Sequence, residues 1–189
     1  GDTYVLAYRG TQELPDVAED GLQGVGISID QYDKAVKLAN AMKETGNFTA
    51  ENTVITGHSL GGGLAAIAGG VTGFPTYTYN AAGVHNATLN IQKNKLHRSD
   101  MNHVQAYNAS DDPLNMAQDN REKILGRLGW VGGLVYLTGG LPHAAGQRME
   151  IETDVGLIKG HTAIHIVNQL EKELAAMGGG NSTVIAKNR

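Results

Sequence analysis

Residues 53–70, with the sequence TVITGHSLGGGLAAIAGG, constrain the fold of this chain more than any other segment. The apolar and β-branched residues 54–56 predict a short buried strand. GHSLG follows at 57–61, and then a run of small residues compatible with a helix. The segment therefore predicts a strand that turns sharply into a helix, with the helix packed closely on the sheet.

A serine at the centre of such a turn is placed for nucleophilic chemistry. Between a strand and a helix, the pattern Gly-X-Ser-X-Gly is typical of a nucleophile elbow, which raises the hydroxyl above the sheet. The turn crowds the positions two before and two after the serine, where Gly57 and Gly61 would relieve the crowding. We predict that Ser59 is the nucleophile and that the Leu60 N–H is an oxyanion donor. The alternative, a glycine-rich turn with an incidental serine, is disfavoured by the flanking strand and helix.

Apolar strands alternate with helical patterns along the rest of the chain. Strands are predicted at residues 3–8, 54–56, 76–79, 104–108 and 147–151. Helices are predicted from residue 29 to 42, from 60 to 70 and from 162 to 177. Alternation of this kind predicts an α/β fold with a mostly parallel sheet and helices on both faces. Residues 1–177 are predicted to form one catalytic domain, and residues 178–189, which open with three glycines, a flexible tail.

The first predicted strand, at residues 3–8, contains only Thr, Tyr, Val, Leu and Ala. Edge strands usually carry charges or Pro, so this composition predicts a position inside the sheet. The fold would then lack N-terminal strands, and a segment before residue 1 or a separate chain would complete the sheet.

Composition excludes several classes of function. Of 189 residues, 41% are hydrophobic and 18% charged, which indicates a globular chain. A formal net charge of -4 gives no general attraction to nucleic acid. The absence of Cys excludes disulfides, thiolate metal sites and a Cys nucleophile. No apolar run is long enough to predict a membrane-spanning helix.

Several motifs resemble those of a known family. GHSLGG at 57–62, preceded by AYRGT at 7–11, resembles the class 3 (fungal-type) lipases and their bacterial relatives. FPTYTYNAAGVH at 74–85, DPLN at 112–115 and GHTAIHIVNQLEKEL at 160–174 resemble bacterial phospholipase-like lipase domains, including type VI secretion lipase effectors. The resemblance covers residues 5–174, except that such domains have further strands before AYRGT.

This resemblance implies an α/β-hydrolase fold and a serine ester hydrolase that acts on lipids, as a lipase or phospholipase A-type enzyme. No cofactor or metal is implied. The partners implied are a lipid or phospholipid substrate at a membrane surface and an immunity-type inhibitor protein, as for a secreted or delivered bacterial toxin. Two alternatives remain open: an esterase or acyltransferase with a soluble substrate, and a non-catalytic binding module on a hydrolase fold.

Two carboxylates compete for the role of catalytic acid. A serine nucleophile needs a base that is oriented by an acid, and in this fold the chain order is Ser, Asp or Glu, then His. Asp111 and Asp112 both follow the strand predicted at 104–108. The family pattern, in which the acid precedes an apolar pair such as Pro-Leu, implies Asp112. Asp111 would then be a turn residue or a helix cap.

The catalytic base is sought among seven histidines. Chain order disfavours those before the acid: His58, His85, His97 and His103. His143, His161 and His165 follow it, and the family's histidine lies in a loop before the last helix, which implies His161. His165, one turn later, is expected to pack or to support the site. The two also have the spacing of zinc ligands on a helix, but Thr162 stands where a metalloprotease has Glu.

Two further segments are expected near the site. Similar lipases take the second oxyanion N–H from the position of Thr11, and Gly10 permits the turn before it. The neighbouring Arg9 is expected to form a structural ion pair. Residues 124–141 are apolar and broken by glycines, so they could cover the site and contact an acyl chain or form ordinary core.

Overall fold

Five parallel strands and one short antiparallel strand form the sheet in this computed structural model, which describes residues 2–10, 29–84, 89, 96–120, 142–153, 162–176 and 187–188. The strands are β1 (Tyr4–Tyr8), β2 (Thr53–His58), β3 (Thr76–Tyr79), β4 (Gln105–Ala109), β5 (Gln147–Ile151) and β6 (Lys187–Asn188). The helices are α1 (Ile29–Glu44), α2 (Leu60–Thr72), α3 (Pro113–Asp119) and α4 (Ala163–Ala176), with a 3₁₀ turn at Arg98–Met101.

The strands lie side by side in chain order, from β1 to β6. Tyr8 is opposite Gly57, Gly57 is opposite Thr78, and Thr78 is opposite Ala106, so the register runs straight across the first four strands. Because the carboxyl ends of parallel strands meet at one edge of a sheet, the segments that follow β1 to β5 gather there.

Helices cover both faces of the sheet, as the sequence predicts. On one face α2 is buried along most of its length, and its Ala65 and Ala68 pack with Ile55 of β2. On the other face Ile166 of α4 packs with Ile151 of β5. The small residues of α2 therefore allow the close helix–sheet packing that its sequence indicates.

Residues 3–8, which the sequence predicts to lie inside a larger sheet, form β1 in the described part of the chain. There β1 pairs with β2 alone and forms an edge. Leu6 and Tyr8 pack against the core, whereas Tyr4 is 42% exposed and Val5 63% exposed. Whether a segment before residue 1 or a separate chain pairs with the other side of β1 stays a prediction.

Two other expectations concern the C-terminal tail and membrane-spanning helices. Lys187–Asn188, in the segment predicted to be a flexible tail, pair antiparallel with β5. The domain boundaries otherwise stay a prediction. Among the described residues, no helix has the length and apolar character needed to cross a membrane.

Candidate active site

Ser59 lies between β2 and α2 with φ 56° and ψ -126°. A positive φ is costly for a residue with a side chain, so the surrounding contacts must hold it. The Ser59 N–H donates to the carbonyl of Tyr79 at 3.1 Å, and its carbonyl accepts from the N–H groups of Gly62 and Ala82, each at 2.9 Å. The turn at Ser59 is thus fastened both to its own helix and to the segment that follows β3.

The glycines beside Ser59 are needed for close backbone approach. A Cβ atom at Gly57 would overlap the carbonyl of Gly61, and one at Gly61 would overlap the carbonyl oxygen of Tyr8. The crowding that the sequence predicts on both sides of the serine is therefore confirmed. Gly10 also lies against the turn, since a Cβ there would be 2.9 Å from the His58 oxygen and 3.5 Å from the Ser59 Cβ.

Ser59 is buried, and its side chain does not cap α2. Leu60 is the first residue of that helix, and N–H groups of a first helical turn have no carbonyl partner within the helix. The positive end of the helix dipole lies at the same place. Backbone and helix together create an environment that would stabilise negative charge beside Ser59.

Asp111 and Asp112 have different surroundings at the end of β4. Asp112 is fully buried and caps α3, and its Oδ1 accepts from the Asn115 N–H at 2.7 Å. The half-buried Asp111 accepts a hydrogen bond from the Thr153 hydroxyl, so it ties the β4 end to the β5 end. Of the two carboxylates, Asp112 is the one held inside the molecule.

Two buried asparagines that the sequence analysis did not single out lie beside Asp112. Asn80 has φ 42° and follows β3, and Asn115 lies in α3. The Asn115 Nδ2 donates to the Asn80 Oδ1 at 3.0 Å, and the Ala109 N–H donates to the same oxygen at 2.8 Å. Both asparagines lie in segments on which the family resemblance depends. Membership of these segments was the one feature of the sequence that could have marked them as site residues.

Comparison with family models identifies the family of this chain. The phospholipase-like model named Tle-like phospholipase domain matches residues 1–179. The chain belongs to this family. Its mostly parallel sheet, its helices on both faces and the strand–turn–helix around Ser59 give the Tle-like domain the α/β-hydrolase fold.

The Tle-like domain is similar to the extracellular phospholipase A1 of Serratia liquefaciens, with 45% identity over 87 residues. The match covers 46% of this chain and 26% of the Serratia protein, so it spans about a quarter of that relative's length.

The solved structures to which this chain is similar include an acetyltransferase and two hydrolases. The capsule O-acetyltransferase of Neisseria meningitidis serogroup A has 11% identity and a TM-score of 0.44, covering 94% of this chain and 88% of its own. An α/β-hydrolase from a sediment metagenome of the lagoon of Mar Chica, Morocco, has 15% identity and a TM-score of 0.40, covering 94% and 92%. A thermophilic esterase of Thermogutta terrifontis has 10% identity and a TM-score of 0.39, covering 94% and 82%.

Several predicted site residues of the Tle-like domain lie outside the described residues. They are Thr11, His161 and residues 124–141. Their predicted roles therefore stay predictions. Ser59, Leu60 and Asp112 lie within the described residues, at the carboxyl ends of β2 and β4.

The other two histidine candidates have different surroundings. The half-buried His165 lies on α4 and lines a cavity of about 420 Å³ together with Thr153 and residues of the same helix. His143 Nδ1 lies 3.4 Å from a carboxylate oxygen of Asp119, which also pairs with Arg148 at 2.6 Å. In the described part of the chain, no group of three or more His, Asp or Glu is arranged to hold a metal ion.

Proposed function

We propose that this Tle-like domain hydrolyses carboxylic esters of lipids, as a lipase or a phospholipase A-type enzyme, with Ser59 as its nucleophile. The observation that carries the proposal is the backbone of Ser59, held at positive φ between β2 and α2. The family match and the similarity to a phospholipase A1 support a lipid substrate. The roles of a secreted toxin and of a neutralising partner protein stay predictions from the resemblance.

The proposed reaction proceeds through an acyl-enzyme. The Ser59 Oγ attacks the acyl carbonyl carbon while His161 accepts the hydroxyl proton, and Asp112 orients and stabilises the imidazolium. The Leu60 and Thr11 N–H groups donate to the oxyanion. Collapse of the tetrahedral intermediate breaks the ester bond, and His161 returns the proton to the departing alcohol. A water molecule, deprotonated by His161, then attacks the acyl carbon; the bond to the Ser59 Oγ breaks, His161 returns the proton to that oxygen, and the fatty acid leaves.

The substrate class is tested by acyl-chain length. Burial of each methylene contributes about 0.8 kcal/mol, so an apolar groove favours longer chains until it is filled. We expect kcat/KM to rise from acetate to palmitate esters of one alcohol, and fatty acid to be released from phospholipid vesicles. Ser59→Ala should abolish both activities.

Residues 124–141 supply the matched variant for this series, because the sequence predicts that they contact the acyl chain. Leu137→Asp should reduce the preference for long chains and leave the rate on acetate esters nearly unchanged. A preference for the shortest ester, unaltered by Leu137→Asp, would contradict a lipid substrate and favour a serine esterase for soluble substrates.

A further inference from the structure

We propose that Asn80 and Asn115 are positioning residues, which fix the Asp112 carboxylate relative to Ser59 through one buried hydrogen-bond chain. The inference rests on the proposed function, since it takes Asp112 as the catalytic acid. It assigns to the two asparagines a role in the rate of the reaction beyond their role in folding.

Asn80 is the fixed point of the chain. It is fully buried, and its N–H donates to the Tyr107 carbonyl of β4 at 2.8 Å. Its Oδ1 accepts from the Ala109 N–H at 2.8 Å and from the Asn115 Nδ2 at 3.0 Å. One residue at the end of β3 therefore holds both the last residue of β4 and the first turn of α3.

Asn115 connects this fixed point to the acid. Its backbone N–H donates to the Asp112 Oδ1 at 2.7 Å, while its side chain donates to Asn80. The group that holds the carboxylate thus belongs to a residue whose side chain is itself anchored. Since Asn115 is also buried, water does not readily replace this bond.

The same segment holds the nucleophile. On either side of Asn80, the Tyr79 carbonyl accepts from the Ser59 N–H, and the Ala82 N–H donates to the Ser59 carbonyl. The Gln118 Nε2 of α3 donates to the Ala81 carbonyl at 3.2 Å, which fastens α3 to this segment at a second point. Residues 79–82 therefore set the distance between Ser59 and Asp112, which are far apart in the sequence.

The chemistry of the pair indicates why asparagine is suited to both positions. A buried amide loses its bonds to water, and a directional partner must compensate for that loss. An apolar pair would fill the same space without fixing an angle. Hydrogen bonds between fixed groups instead restrain the acid to one geometry, and displacements of about 1 Å near reacting groups can lower rates by about a hundredfold.

The expected signature of lost positioning is specific. Asn115→Ala keeps the backbone N–H that caps Asp112 and removes the side-chain hydrogen bonds to the Asn80 Oδ1 and, at 3.5 Å, to the Ala109 carbonyl. We expect kcat to fall by about tenfold to a hundredfold, with KM unchanged. A nearby carboxylate raises the pKa of a histidine base, so a displaced carboxylate should move the acid limb of the kcat/KM–pH profile to lower pH.

The test compares variants in two backgrounds. Asn115→Ala and Asn80→Gly, in which glycine accepts the positive φ, are each made in the wild type and in Asp112→Ala. Either variant suffices if the other does not fold. Asn108→Ala is the matched control, because Asn108 is also a buried asparagine, but its side chain donates to the Ala106 carbonyl of its own strand.

We expect Asn115→Ala and Asn80→Gly each to lower kcat in the wild type and to have no further effect in Asp112→Ala. The control, Asn108→Ala, should change only the free energy of unfolding. Equal losses in both backgrounds would show a purely structural role and overturn the inference. Full activity of Asp112→Ala would instead show that the acid is wrongly assigned, a failure of the proposed function on which the inference depends.

Discussion

Asp112 and Asp111 differ in what their carboxylates contact, and this difference predicts different consequences of substitution. Asp112 is buried and held by the Asn115 N–H, whereas Asp111 accepts from Thr153 at the ends of two strands. Asp112→Asn and His161→Ala should each lower kcat by about a thousandfold or more, as the loss of acid or base does in serine triads.

The paired substitutions Asp111→Asn and His165→Ala are the controls for the triad. Both substitutions should lower kcat much less than Asp112→Asn and His161→Ala do. Their main effect should be a lower free energy of unfolding. The measurement is kcat on a soluble ester, beside urea unfolding. Inactive Asp111→Asn or His165→Ala variants that fold normally would show that the wrong member of the pair was chosen.

Gly61 provides a second test at the scale of the residue. A Cβ atom there would overlap the Tyr8 carbonyl oxygen, which belongs to a backbone that cannot yield easily. Gly61→Ala should therefore lower the free energy of unfolding by about 2–3 kcal/mol. Gly70, in the same helix, is the control, because its nearest neighbour would be the flexible Met101 side chain at 3.0 Å.

Denaturant unfolding distinguishes the two glycines. Gly70→Ala should match or exceed the stability of the wild type, since Ala favours a helix over Gly by about 1 kcal/mol. If Gly61→Ala were as stable as Gly70→Ala, the close packing of α2 against the end of β1 would not be required.

At the scale of the element, α1 buries Tyr32 and β1 holds a half-buried Tyr8. Burial raises the pKa of Tyr8 to about 12, and it also raises the pKa of Tyr32. In the unfolded chain both phenols ionise near pH 10. The folded chain therefore binds more protons above pH 10, and the free energy of unfolding should fall as the pH rises from about 10 to 12.

Tyr32→Phe tests this dependence. The Tyr32 hydroxyl has no hydrogen-bond partner among the described residues, so its removal should cost little at neutral pH. The urea midpoint of Tyr32→Phe should decline less between pH 9 and 11 than that of the wild type. Parallel curves would mean that Tyr32 does not contribute to the alkaline loss of stability.

Elements were predicted well where periodicity and turn residues agree. β3 and β5 have the predicted bounds, Thr76–Tyr79 and Gln147–Ile151, and Ser59 lies in the predicted strand–turn–helix. The sequence could not show that Asn80 and Asn115 meet, because no periodicity connects residues in different elements. Neither could composition separate Asp111 from Asp112, which the fold distinguishes by burial.

For the whole molecule, the order of the strands explains why Ser59 and Asp112 lie at one edge of the sheet. The strands run in chain order and β1 to β5 are parallel, so Ser59 after β2 and Asp112 after β4 lie at the same edge, with the β3 segment between them. A segment before residue 1 or a separate chain that completes the sheet beside β1 stays a prediction from the composition of residues 3–8.

The most direct test of Ser59 as the nucleophile is labelling with an active-site fluorophosphonate, followed by peptide mapping. The account predicts that the label is found on Ser59 alone, and that Ser59→Ala loses both labelling and ester hydrolysis while its unfolding midpoint stays close to that of the wild type. A label on another residue, or labelling and turnover that survive in Ser59→Ala, would contradict the account.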